Sequence, residues 1–129
     1  MKRSLLLLLT ITLFLGCSDT VEFNNPALQG NFEGQAWRAD FFSAATQDGG
    51  LVVRGQRGSE VLLIFTTRTD VGQYPLGDNN VSEIRFRAAD GTIYSTLNAP
   101  DPSFTLYPSD GLVEIEEFNT VTNTVTGTY

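Results

Sequence analysis

The apolar positions of this chain form one long run near the N-terminus and then a series of short groups. From Asn31 onward these groups hold a few apolar residues each, and turn sequences separate them. The turns recur at intervals of roughly 8–12 residues, a spacing typical of a β-sandwich or barrel. No stretch shows the 3.6-residue repeat of an amphipathic helix. We therefore predict one all-β domain over residues 31–129, an antiparallel β-sandwich or barrel-like meander of about seven to nine short strands.

The first strands of this domain can be placed from turn chemistry and alternation. Glu33-Gly34 predicts a tight turn in a hairpin that begins at Phe32. In the strand that follows, Trp37, Ala39 and Phe41 alternate with polar residues and should share one face. The alternation predicts a core position for Trp37, the alternative being a sugar-stacking platform on the surface.

Two later segments differ in their patterns. Residues 60–65 are apolar on both faces, which predicts a central strand covered on each side. Residues 54–58 read Arg-Gly-Gln-Arg-Gly between two strand-like runs, and we predict a hairpin loop there.

The N-terminal run predicts an export signal. Lys2 and Arg3 precede an apolar stretch from Leu5 to Leu15, and Gly16-Cys17 follows it. A basic start, a short apolar core and a small residue before the cut describe a secretory signal peptide, here residues 1–16. The alternative is a membrane-spanning helix, which needs about 20 apolar residues and is longer than this run.

The residues Phe14-Leu15-Gly16-Cys17 resemble the lipobox that lipoprotein signal peptidase recognises. The resemblance implies cleavage between Gly16 and Cys17, and lipidation of Cys17 with diacylglycerol and a fatty acid such as palmitate. Cys17 is the only cysteine, so an intrachain disulfide is excluded. A free or buried thiol is the alternative. Residues 17–30 would then be a flexible tether, and Ser18 favours sorting to the outer membrane, facing either the periplasm or the cell surface.

Composition limits the possible functions after cleavage. Without residues 1–16, six arginines and no lysine stand against fifteen acidic residues. A net charge of that sign repels phosphate backbones, so we expect no nucleic-acid partner. The chain has no histidine, which excludes Ser–His and Cys–His nucleophile pairs. We expect no enzyme activity, no cofactor and no metal. Calcium bound by the acidic turns is a weaker alternative, because no calcium-loop pattern is present.

The densest acidic cluster is Glu114, Glu116 and Glu117. In a regular strand, Glu114 and Glu116 point to the same face with Cα atoms about 6.6–6.8 Å apart. Paired carboxylates at such a distance could hydrolyse glycosidic bonds. The alternative is a solvated strand face on which they pair with Arg85 and Arg87 across strands.

Two connections are longer than the rest, residues 69–80 and residues 97–110. Long loops on a β scaffold often carry binding surfaces. Tyr74, Phe104 and Tyr107 are therefore possible binding-loop residues, if their rings are exposed. The alternative is that these aromatic rings fold back to close the ends of the sandwich.

Three short motifs resemble a family of uncharacterised Bacteroidota outer-membrane lipoproteins. They are the Gly34 to Trp37 hairpin, residues 72–76 (Gly-Gln-Tyr-Pro-Leu) and residues 125–129, where Tyr129 stands in place of the usual Phe. The resemblance implies the fold and the location. It also implies a further C-terminal hairpin, so we expect the domain to be truncated at its C-terminus. We thus expect a lipid-anchored envelope protein of the binding or interaction class, with a glycan or an envelope protein as partner. A glycan hydrolase and a purely structural component are the alternatives, and the oligomeric state stays open.

Overall fold

The computed structural model describes residues 27–77, 80–97 and 110–129. These parts form ten strands and no helix. The strands are β1 (Gln29–Phe32), β2 (Gln35–Arg38), β3 (Phe41–Gln47), β4 (Gly50–Arg57), β5 (Glu60–Phe65), β6 (Gly72–Leu76), β7 (Glu83–Arg87), β8 (Ile93–Ser95), β9 (Gly111–Asn119) and β10 (Thr124–Thr128).

The strands form three antiparallel sheets, which confirms the all-β prediction. The largest sheet has the order β3-β4-β5-β7-β8, a second has the order β10-β9-β6, and β1 pairs only with β2. The strand count exceeds the predicted range because β6 lies inside the segment expected to be a long loop. Gly72 and Pro75 are residues that predict a loop rather than a strand. They are tolerated here because β6 is at the edge of its sheet, where proline costs no ladder hydrogen bond.

The two larger sheets pack face to face and enclose one core, so the domain is sandwich-like. Leu51, Leu62, Ile64 and Phe86 come from the five-stranded sheet, and Tyr74, Leu76, Val113 and Ile115 from the three-stranded sheet. Leu28, Trp37 and Ala39 complete the same cluster. Burial of this apolar surface is the main stabilising term. Because β5 lies between β4 and β7, its prediction as a central strand is confirmed.

The first hairpin has the predicted turn, but the buried face that follows it ends at Ala39 and does not include Phe41. Glu33 and Gly34 have φ of 50° and 77°, the two positive values that a tight hairpin turn requires. Trp37 is buried, as predicted, whereas Phe41 is 75% exposed and its predicted core position is wrong. The chain bends at Asp40, whose N–H donates to the Gln56 carbonyl. The bend moves the chain into a different sheet, so alternation does not carry across it.

The predicted arginine loop is also wrong, since Arg54 and Arg57 both lie in β4 and the turn follows at Gly58. Gly55 is not a turn residue here. A Cβ at Gly55 would come within 2.5 Å of Leu28 Cδ2 and 3.0 Å of the Trp37 ring. The glycine therefore admits core side chains against the backbone.

The domain begins earlier than the predicted boundary at residue 31. Leu28 is 8% exposed and belongs to the core, and β1 starts at Gln29. The last residues assigned to the tether therefore belong to the folded part of the chain.

Candidate functional site

The five-stranded sheet turns one face to the core and the other to solvent. Residues paired across antiparallel strands share a face, so the register gives the composition of the outer one. We call two adjacent rows of this surface the arginine face. The first row is Ser43, Arg54, Leu63, Arg85 and Ser95, and the second is Phe41, Gln56, Val61, Arg87 and Ile93.

Apolar side chains form the floor and one edge of the arginine face. Val61 is buried and Leu63 is half-buried, and with Ile93 and three arginines they line a hollow of about 330 Å³. Phe41 and Ile93 are 75% and 56% exposed. The solvated face of an antiparallel sheet is ordinarily polar, so this amount of exposed apolar surface is unusual for such a face.

The three guanidinium groups of this face differ in their partners. Arg85 donates two hydrogen bonds to Glu83, at 2.9 and 3.2 Å, and Ser95 Oγ donates to the same carboxylate at 2.7 Å. Arg54 instead reaches the Gln56 side-chain oxygen at 3.5 Å, and Arg87 reaches the Ser59 carbonyl at 3.4 Å. Within the described residues, Arg54 and Arg87 thus contact only neutral oxygens.

Sequence reasoning found only part of this surface. Arg85 and Arg87 were expected on an exposed strand face, and both are exposed. The sequence predicts a loop at Arg54, so it does not place this residue beside Leu63 and Arg85. The register between β4, β5 and β7 places Arg54, Leu63 and Arg85 side by side, and no local sequence pattern predicts that register.

The acidic cluster lies on the other sheet. In β9, Val113 and Ile115 are buried, Glu114 is half-buried and Glu116 is exposed. Because β7 belongs to the five-stranded sheet, the predicted pairing of these glutamates with Arg85 and Arg87 is wrong. Glu114 instead accepts a 3.5 Å hydrogen bond from Gln73.

The strand β9 does not hold Glu114 and Glu116 in the regular alternation on which the prediction of paired carboxylates depends. The β9–β10 register shifts so that Glu117 pairs with Thr126 and Ile115 with Gly127, which leaves Glu116 at a bulge. A carboxyl group that acts as general acid requires burial; Glu116 is exposed, and Glu114 is half-buried.

The possible binding-loop residues fare differently. Tyr74 lies in β6, is 4% exposed, and donates from its hydroxyl to the Asp70 carbonyl at 2.5 Å. Its ring is therefore not available to a ligand. For Tyr74 the alternative prediction, a ring that folds back into the sandwich, is the one that agrees with the structure. Phe104 and Tyr107 lie outside the described residues, as do Gly16 and Cys17.

A second concave region opens between the two packed sheets, with a volume of about 380 Å³. Its walls include Val53, Val113 and Val125, and Tyr129 lies at its margin. Burial raises the pKa of Tyr129. No group of three or more potential metal ligands occurs in residues 27–77, 80–97 and 110–129.

Comparison with known proteins gives a family but no activity. The profile of a family described as "Domain of unknown function (DUF6252)" matches residues 24–129. No curated protein and no solved structure matches the chain. The described part of the chain contains no helix that is long and apolar enough to cross a membrane.

Proposed function

Because the chain belongs to the DUF6252 family, whose description names no activity, we propose a function from its own residues. The protein is a bacterial envelope protein anchored through lipid on Cys17, like the Bacteroidota lipoproteins that its motifs resemble. It is a non-enzymatic binding module, and its binding surface is the arginine face. One observation carries this proposal. Arg54 and Arg87, without a carboxylate among the described residues, stand over an apolar floor on the outside of the sheet.

The composition of the arginine face supports binding rather than solvation alone. Arginine and aromatic residues are enriched in interfaces, where apolar contact and directed hydrogen bonds act together. A guanidinium can donate two parallel hydrogen bonds to a carboxylate or a phosphate. Arg54 and Arg87 form weak neutral contacts that such an anion would replace, and Phe41 and Ile93 supply apolar contact area.

The anchor supports an envelope location. Gly16-Cys17 follows the apolar run, and Cys17 is the sole cysteine. From Cys17 to Leu28 the chain can span at most about 40 Å when extended. The domain would therefore stay within about one domain diameter of the membrane that holds the lipid.

The absence of an enzymatic role is supported by the residue inventory. The part after Cys17 has no histidine, lysine or further cysteine, so it lacks the usual nucleophile–base pairs. Of the two acidic candidates, Glu116 is exposed at a bulge, and Glu114 is half-buried and accepts a hydrogen bond from Gln73. These observations favour binding over glycan hydrolysis.

Metabolic labelling with palmitate tests the anchor. We expect the wild-type chain, expressed in a host with lipoprotein processing, to incorporate the label and to sediment with membranes. Cys17→Ala should remain unlabelled and uncleaved. Labelling of Cys17→Ala, or its absence from the wild type, would contradict lipidation at this residue.

Co-sedimentation with envelope fragments tests the arginine face. The protein used is the chain from Ser18 onward, which keeps every described contact because the core begins at Leu28. Arg54→Glu/Arg87→Glu should weaken binding about tenfold or more. Arg38→Glu/Arg68→Glu is the matched control, since it changes the net charge equally at two exposed positions outside this face. If both double variants lose binding equally, the loss is due to net charge rather than to the arginine face, and the proposal is overturned.

A further inference from the structure

We propose that the arginine face docks on the acidic phospholipid surface of the membrane that carries the anchor. This inference rests on the proposed function and names its partner. The occupant follows from three features of the molecule: its opposed charges, its mixed apolar and cationic surface, and the short reach of its anchor.

The two outer surfaces of the sandwich carry opposite charge. The arginine face has Arg54, Arg85 and Arg87, with Glu83 beside Arg85 as the neighbouring acid. The outer side of β9 carries Glu114 and Glu116. Packed sheets lie about 10 Å apart, and physiological salt screens exposed charges beyond about 8 Å. The arginine face is therefore attracted to an acidic surface although the chain after cleavage carries six arginines against fifteen acidic residues.

The side chains of the arginine face suit the boundary between headgroups and acyl chains. Guanidinium groups form directed hydrogen bonds with phosphate oxygens and are more weakly hydrated than ammonium groups. Phe41 and Ile93 lie in the same row as Arg87, so docking would press exposed apolar groups and cations against the same plane. The surface spans five neighbouring strands, about 19 Å from β3 to β8, which is broader than a pocket for a single small anion.

The strength of the contact fits a tethered domain. Three arginines near an acidic surface give a free protein only weak affinity, in the range of about 1 mM or weaker. A short tether supplies an effective concentration that is also in the mM range. The anchored domain can thus stay docked by contacts that would be insufficient for a soluble one, and a partner in solution would gain no such advantage.

Fluorescence on tethered vesicles tests the docking directly. The chain from Cys17 onward is coupled through its sole thiol to a maleimide lipid in vesicles of phosphatidylcholine, with or without phosphatidylglycerol. Phe41→Trp places a reporter on the arginine face, and brominated lipids quench it if it reaches the bilayer. Val121→Trp is the matched reporter, because Val121 is 90% exposed in the turn between β9 and β10.

We expect several-fold stronger quenching of Phe41→Trp on acidic vesicles than on neutral ones, with high salt reducing the difference. Adding Arg54→Glu/Arg87→Glu should abolish that quenching, and adding Arg38→Glu/Arg68→Glu should preserve it. Val121→Trp should stay unquenched. The same quenching for both reporters, or no effect of phosphatidylglycerol, would overturn membrane docking.

The two proposals fail in distinguishable ways. If envelope co-sedimentation depends on Arg54 and Arg87 but the tethered vesicles show no quenching, the arginine face binds an acidic protein or glycan instead. The binding-module proposal then stands and the membrane proposal falls. If neither assay depends on these arginines, both proposals are overturned.

Discussion

At the scale of single residues, Glu60 joins two strands that are distant in sequence. Its carboxylate accepts hydrogen bonds from Trp37 Nε1 at 3.0 Å and from Arg57 Nε at 2.7 Å. The side chain of Glu60 is only 14% exposed. The bond from Arg57 holds the pKa of Glu60 below its ordinary value of 4.5, with Trp37 acting in the same direction and burial opposing both. The charged form therefore fixes the indole of the buried tryptophan.

This arrangement predicts a pH dependence of stability. A carboxyl group whose pKa is lower in the folded than in the unfolded state stabilises the fold above the unfolded pKa. That contribution is lost as the pH falls from about 4.5 through the lower folded value. We expect Glu60→Gln to be less stable than wild type at neutral pH, and the two to converge in acid. The urea midpoint at several pH values measures this.

The control for that measurement is Glu116→Gln, which removes an exposed carboxylate. It should shift the midpoint little at any pH, because Glu116 has no hydrogen bond among the described residues. A constant difference between Glu60→Gln and wild type across the acid range would contradict the assignment.

Sequence reasoning could predict some single residues and not others. Trp37 was predicted in the core because strict alternation surrounds it. The partner of its indole lies 23 residues away, and no local pattern encodes that contact. Phe41 had the same local signal as Trp37, and only the bend at Asp40 separates their environments.

At the scale of elements, the β3–β4 hairpin closes tightly against the end of β5. Asp48 and Gly49 form its turn with φ of 51° and 83°. The next residue, Gly50, lies so close to Thr66 that a Cβ would come 1.9 Å from its carbonyl oxygen. Thr66 is fully buried, and its hydroxyl accepts from the Leu51 N–H and donates to the Arg68 carbonyl. The hairpin therefore has no room for a side chain at Gly50.

We predict that Gly50→Ala lowers the free energy of unfolding by about 1–3 kcal/mol, because the added methyl group displaces backbone rather than a flexible side chain. Gln47→Ala, at the exposed residue paired with Gly50, is the control and should change stability by less than about 0.5 kcal/mol. Urea unfolding measures both. A Gly50→Ala protein as stable as the control would show that the strands separate easily at this point.

Elements with local signals were predictable, and those defined by distant pairing were not. The hairpins at Glu33-Gly34 and Asp48-Gly49 follow from turn chemistry, which acts within a few residues. The strand β6 pairs with β9, where Gly72 faces Ile115. Its glycine and proline indicate a loop when considered alone, and the hydrogen bonds that make it a strand come from a segment 35 to 43 residues away.

At the scale of the whole molecule, the two ends of the described chain meet. The Tyr129 hydroxyl donates to the Gln29 carbonyl at 2.9 Å, across 100 residues of sequence. The contact links the end of the chain after β10 with the β1–β2 hairpin, which has no strand pairing with either larger sheet. Tyr129 thus helps to fix the hairpin that supplies Trp37 to the core.

Tyr129→Phe keeps the ring and removes this hydrogen bond. We expect a loss of about 0.5–1.5 kcal/mol in the free energy of unfolding, with faster amide exchange in β1. Tyr94→Phe is the control, because the Tyr94 hydroxyl has no hydrogen bond within residues 27–77, 80–97 and 110–129. Identical stabilities of the two variants would mean that the end-to-end contact contributes nothing.

The pairing of β6 with β9 also has a consequence for the order of folding. The hairpins β3–β4 and β4–β5 close over turns of two residues, whereas the partners of β6 follow it by 35 to 43 residues. Closing a longer loop costs more entropy, and distant pairings slow folding. We therefore expect the five-stranded sheet to form first, with its inner face briefly uncovered. A folding chain would then be most prone to aggregation in the interval before β9 pairs with β6.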